Sequence, residues 1–121
     1  RLGSSTSISE NGSRIAIASP NVAVGEHSRA GKVVIVERDM ADGVWKPVGS
    51  EVMGNEAVQQ FGASVALSGN GNTFVAGSTG SQGLGIVQGR VSVFKYIGGD
   101  WMEDASFTGD DRDRFGRAVS V

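Results

Sequence analysis

The chain has 121 residues, a soft prior for one domain, with 39% hydrophobic residues, a formal net charge of −2 and no Cys. The charge argues against a nucleic-acid surface or a polybasic membrane patch. The missing thiols exclude disulfides, thiolate nucleophiles and Cys-ligated metals. No apolar run approaches the roughly 20 residues that cross a bilayer as a helix, so a membrane would be met only through other parts of a longer chain.

Leu2 to Ser9 (LGSSTSIS) is short, Ser/Thr-rich and weakly alternating, and is predicted as a strand. Glu10-Asn11-Gly12-Ser13 follows, and Asn-Gly between β-type runs is a strong hairpin signal. Arg14 to Ser19 (RIAIAS) is the second strand, with Ile15 and Ile17 on one face. Pro20 ends it, because Pro cannot donate to a ladder. Asn21 to Ala30 is a polar loop holding the only His, His27. Gly31 to Arg38 (GKVVIVER) is a third strand, apolar on both faces, which predicts burial on both sides. Asp39 to Gly43 is a turn, Val44 to Met53 a more polar fourth strand, and Gly54 to Gln60 a linker. Pro47 suits an edge position.

The same order then returns. Gly62 to Ser68 is strand one, Gly69 to Asn72 the turn, and Thr73 to Gly77 strand two. Ser78 to Gln88 is a glycine-rich loop, Gly89 to Tyr96 strand three, Gly98-Gly99-Asp100 a turn, and Trp101 to Phe107 strand four. Gly109 to Arg114 is a linker, and Phe115-Gly116 begins strand one a third time. Phe61 lies 59 residues after Leu2, Gly71 lies 59 after Gly12, and Gly89 lies 58 after Gly31. Trp101 lies 56 after Trp45, and Phe115 lies 54 after Phe61. The offset shrinks only across loops, where length varies at little cost. No window carries a sustained helical stripe. Four strand slots and one Trp per repeat fit a propeller blade, or a sandwich of repeated sheets. The units are residues 1–60, 61–114 and a third started at 115–121. Both ends fall inside the pattern, so the chain is expected to be a fragment of a longer protein.

The pattern Phe61-Gly62-x-Ser64-Val65-Ala66-Leu67-Ser68-x-Asn70-Gly71-Asn72-Thr73-x-x-Ala76-Gly77, then Gly89-x-Val91-x-Val93-Phe94 and Trp101, resembles the FG-GAP repeat, the blade unit of integrin-α-type β-propellers. It is similar above all to the variant in large secreted or surface proteins. The chain departs from the family pattern at Leu2, where Phe is expected, and at Gly77-Ser78-Thr79, where Gly-Ala-Pro is expected. The resemblance implies an all-β fold of consecutive four-stranded antiparallel blades: two blades and the first strand of a third, part of a larger ring. It also implies a non-enzymatic recognition or adhesion role at the cell surface or outside the cell, with a protein or glycan ligand on the loop faces and neighbouring blades as structural partners. The competing expectations are the non-catalytic blades of a secreted polysaccharide hydrolase or lyase, and a structural spacer.

Phe61-Gly62 and Phe115-Gly116 are read as joints between sheets: the ring fills the gap, and the Gly lets two backbones pass closely. Gly77 and Gly89 belong to the same repeated frame. Trp45 and Trp101 are read as anchors, the indole N–H finding a partner, with an exposed platform for sugar or peptide as the sharper alternative. Calcium needs 6–8 oxygen ligands, with carboxylates supplying charge. The turns around Asn11 and Asn70 hold only Glu10 as an acid, so no cofactor is assigned there, and calcium stands only as the alternative. Asp110 to Arg114 is more acidic and reads as a solvated linker, with a weak cation site as the alternative. Gly62-Ala63-Ser64-Val65-Ala66 lacks the closing Gly of a nucleophile elbow. No base-and-nucleophile pair is recognised, so no catalytic residue is assigned. Asn11-Gly12-Ser13 is a glycosylation sequon, relevant only in a eukaryotic secretory route.

Overall fold

A computed structural model describes residues 5–20, 30–53, 61–78 and 88–111. Those residues are all-β and antiparallel, arranged as two open sheets that share one core. In the first sheet, β1 (Ser5–Ile8), β2 (Arg14–Ser19), β3 (Lys32–Arg38) and β4 (Trp45–Pro47) lie in sequence order, and β5 (Val52–Met53) also pairs with β3. In the second, β6 (Phe61–Leu67), β7 (Thr73–Ser78), β8 (Gln88–Ile97) and β9 (Asp100–Asp111) repeat that order.

The four-slot order expected from the repeat is therefore present in each unit, with two adjustments. The expected fourth strand from Val44 to Met53 divides into β4 and β5. Its middle bends where Gly49 takes a φ of 70°, a left-handed value that breaks an extended run. The strand expected to end at Phe107 instead continues to Asp111, because β8 starts early enough to pair Gln88 with Asp111. Gly109 to Asp111 thus belong to a ladder, while residues 112–121, including Phe115 and Gly116, lie outside the described residues.

The hairpin turns repeat at the level of single atoms. Ser9 N–H donates to Arg14 O, Gly12 N–H to Ser9 O, and Asn11 Oδ1 accepts from Ser13 N–H and the Ser9 hydroxyl. Ser68, Gly71, Asn70 and Asn72 make the corresponding bonds in the second sheet. Gly12 and Gly71 supply the turn's positive φ, 75° and 74°. The β8–β9 turn is tighter, with Gly98 and Gly99 both at positive φ, as a two-residue hairpin of the primed type requires.

Alternation decides which residues enter the core. Along β2 and β3, Ala16, Ala18, Val33 and Ile35 are buried, whereas Ile15, Ile17, Val34 and Val36 are only partly covered. The expectation of burial on both faces of Gly31 to Arg38 is thus corrected. One face meets the second sheet; among the described residues the other has only partial cover. The second sheet contributes Phe61, Val65, Leu67, Phe74, Phe94 and Trp101. Small residues on the first sheet therefore oppose large rings on the second, which is how two sheets interlock at close-packed density. Phe74 stacks on Phe94 with centroids 4.9 Å apart, and Phe61 and Trp101 meet this pair edge-on at 5.9 and 5.1 Å.

Candidate functional site

Three sets of side chains stand out: two that lock the sheets together and one that faces solvent.

The first is the joint at Phe61-Gly62. Phe61 opens β6 with its ring buried and its N–H donating to Ala30 O at 2.9 Å. Gly62 follows with φ +87°, at the bulge between Phe61 and Ser64. A Cβ on Gly62 would lie 3.0 Å from Ala18 Cβ and 3.1 Å from Val33 Cγ2. The Gly is there because two backbones cross at contact distance. Gly31 is the reciprocal residue, since its Cβ would sit 2.2 Å from Phe61 O. β6 is an edge strand, and exposed edge N–H groups need acceptors. Val65 N–H and Leu67 N–H find them in the hydroxyls of Ser5 and Ser7 on the first sheet, at 3.1 and 2.9 Å.

The second is a pair of clamps. The indole N–H of Trp101 donates to Val48 O at 2.9 Å, a buried bond between the sheets. Beside it, Asp100 Oδ1 accepts from Ser50 N–H at 2.8 Å and from Trp101 N–H at 2.9 Å. Those donors, Ser50 first, hold the Asp100 carboxyl below its ordinary value of 3.8, because they favour the ionised form. On the turn side, Arg14 Nη1 donates to Gly71 O at 2.8 Å and to Asn72 Oδ1 at 2.9 Å. Its guanidinium also lies over the Tyr96 ring, 5.1 Å from the centroid.

The third is the tip between β3 and β4. Lys46 Nζ bonds Asp39 Oδ2 at 2.9 Å and Asp42 Oδ2 at 3.3 Å, while the other oxygens of these acids cap Ala41 N–H and Val44 N–H. The bond from Lys46 is the main reason that the half-buried Asp39 carboxyl titrates below its ordinary value. Exposed pairs of this kind add little stability but do fix a conformation. The tip presents Met40 at 88% exposure, Val44 at 50% and Trp45 at 41%.

The expected site residues therefore separate. Phe61, Gly62 and Trp101 meet at the shared core, and Gly77 and Gly89 are buried within their ladders. The shared anchoring role expected for the two Trp residues is corrected: Trp101 is 7% exposed and bonded, whereas Trp45 is on the surface. The reason is cover: the first sheet packs over Trp101, whereas Trp45 lies on the face of the first sheet shared with Ile8, Ile15 and Val36, which has only partial cover among the described residues. Of the loops expected to present a binding face, Asn21 to Ala30 and Ser78 to Gln88, only the end residues are described: Ala30 accepts from Phe61 N–H, and Ser78 and Gln88 belong to β7 and β8, while residues 21–29 and 79–87 lie outside the described residues. The turn oxygens weighed for calcium, Asn11 Oδ1 and Asn70 Oδ1, accept N–H and O–H donors inside their turns. Among the described residues no group of three or more His, Asp or Glu side chains could hold a metal ion. Sequence reasoning passed over Ser5, Ser7, Arg14 and Asp100. Only the serines at alternate positions of a strand carried any signal, and it was the weak one of period two. Comparison with family models and with the curated proteins finds no match to this chain.

Proposed function

We propose that the chain is a pair of consecutive blades of an FG-GAP-type β-propeller, serving as a non-enzymatic recognition or adhesion module at a cell surface or outside the cell. The blade reading is supported by a five-stranded and a four-stranded antiparallel sheet whose main paths run in the same strand order, joined through Phe61-Gly62. The observation that carries the recognition role is the tip between β3 and β4. Met40, Val44 and Trp45 are held out to solvent on a hairpin braced by Lys46, Asp39 and Asp42. An exposed aromatic beside charged donors and acceptors suits a glycan or a peptide, because the ring supplies area and the rim supplies orientation. The loops 21–29 and 79–87, which connect β2 to β3 and β7 to β8 at the end of the sheets opposite this tip, would present a second ligand face.

The test compares binding of the wild-type chain, Trp45→Ala, and a chain with residues 79–87 replaced by a Gly/Ser linker. A glycan array and a cell-adhesion assay serve as readouts. Loss of binding in either variant, with the thermal melt unchanged, supports the module. Binding that survives both changes removes these surfaces from the account.

A further inference from the structure

Both sheets bear an apolar face that the internal packing leaves partly open. On the first sheet the register places Ile8, Ile15 and Val36 across one row, with Ile17 and Val34 beside it. Ile8 is 59% exposed and the others are half-buried. On the second sheet, Val91 pairs with Phe107 and Val93 with Ala105, and Val75 pairs with Val93. Phe107 is 56% exposed.

The repeat shows what these faces match. Ile8, Ile15, Ile17 and Val36 occupy the slots that Leu67, Phe74, Ala76 and Phe94 occupy in the second sheet, and those four are in the shared core. Val75, Val91, Val93 and Phe107 occupy the slots of Ala16, Val33, Ile35 and Val52, which form or pack against the other wall of that core. The described residues thus carry both halves of the internal interface a second time, on opposite sides and not packed against each other. Bulk is complementary as well. Inside, Ala16 occupies a slot on the wall facing Phe74; in the free pair the same slots hold Val75 and Ile15. A larger residue on one wall accompanies a smaller one on the other, so the summed volume is roughly kept.

We propose that the outer face of the second sheet docks onto the outer face of the first sheet in another copy of the same chain, head to tail. The interface is heterologous, since the two patches differ, and each copy retains one free patch for the next. Contact is weaker than the internal joint, because Ala66 stands where Ser7 supplies a hydroxyl to the strand edge. The association does not depend on which ligand the module binds.

Analytical ultracentrifugation of the 121-residue chain over a hundredfold concentration range tests this, with Ile8→Glu and Phe107→Glu as variants. The wild type is expected to grow in mass with concentration. Each variant alone is expected to sediment as a monomer. An equimolar mixture is expected to recover a dimer, because the first keeps an intact second-sheet face and the other an intact first-sheet face. Far-UV circular dichroism checks that each variant folds; if either does not, Ile17→Glu and Val93→Glu replace them in the same design. A wild type that stays monomeric throughout, as it would if residues 112–121 of the same chain covered the second-sheet face, overturns the proposal. So does self-association of either variant alone, or a mixture that does not associate.

Discussion

Replacing Gly31 with Ala should cost this fold far more than replacing Gly98, although both glycines hold positive φ. Gly98 has φ +64°, and a Cβ there meets nothing within 4 Å. Its Ala variant takes on only the left-handed strain, about 1–2 kcal/mol. The unfolded chain returns about 0.4–1 kcal/mol of that by losing conformational freedom. Gly31 has φ +87°, and its Cβ would lie 2.2 Å from Phe61 O and 2.6 Å from Phe61 N. Those atoms are main chain, so no rotamer change can relieve the overlap. The start of β6 must move off the first sheet, straining the bond from Phe61 N–H to Ala30 O. Overpacking of this kind costs about 1–3 kcal/mol and occasionally more, and the upper end applies where backbone meets backbone. A difference of about 3 kcal/mol between the two variants is a large part of the 5–15 kcal/mol typical of a domain. At roughly 4 °C per kcal/mol for a chain of this size, the Gly31→Ala melt should fall about 12 °C below that of Gly98→Ala. Thermal unfolding followed by near-ultraviolet circular dichroism measures it. Equal midpoints for the two variants would mean that the sheets do not meet at Gly31, and the account of the joint would fail.

Two further outcomes are expected. Trp101→Phe keeps the ring but strands Val48 O in a buried position, costing about 1–3 kcal/mol in urea denaturation, whereas Trp45→Phe stays within about 0.5 kcal/mol of wild type; equal losses would refute the division of roles. The Asp100 carboxyl is depressed in the folded state, so its stabilisation is present above its ordinary value of 3.8 and disappears as pH falls through the lower folded value. The urea midpoint of the wild type should therefore drop more between pH 6 and pH 3 than that of Asp100→Asn, and parallel drops would show that the bonds from Ser50 and Trp101 do not favour the ionised form.

The strand order was legible because it depends on local chemistry. Alternating Val and Ile, the Asn11-Gly12 and Asn70-Gly71 turns, and a recurrence at 54–59 residues all act over a few neighbours or over plain counting. The same signals placed Phe61-Gly62 at a close approach, since an aromatic followed by Gly at each restart has few other uses. The unequal fates of Trp45 and Trp101 were not legible, because both occupy the same slot in the repeat. What separates them is cover, which repetition cannot show: the first sheet packs over Trp101, whereas the matching face of the first sheet, with Trp45, Ile8 and Val36, has only partial cover among the described residues.

The amino-acid order alone therefore settled element type, turn chemistry and the two-unit plan, since each follows from propensity and period. Tertiary contact alone decided that Ala16 and Ala18, rather than Ile15 and Ile17, face the aromatic core, and that Ser5 and Ser7 satisfy the edge of β6. An alternating strand has two faces, and its periodicity does not say which will be covered. That choice is made by the shape of whatever packs against it, here a wall of rings that fits over small side chains and would collide with large ones.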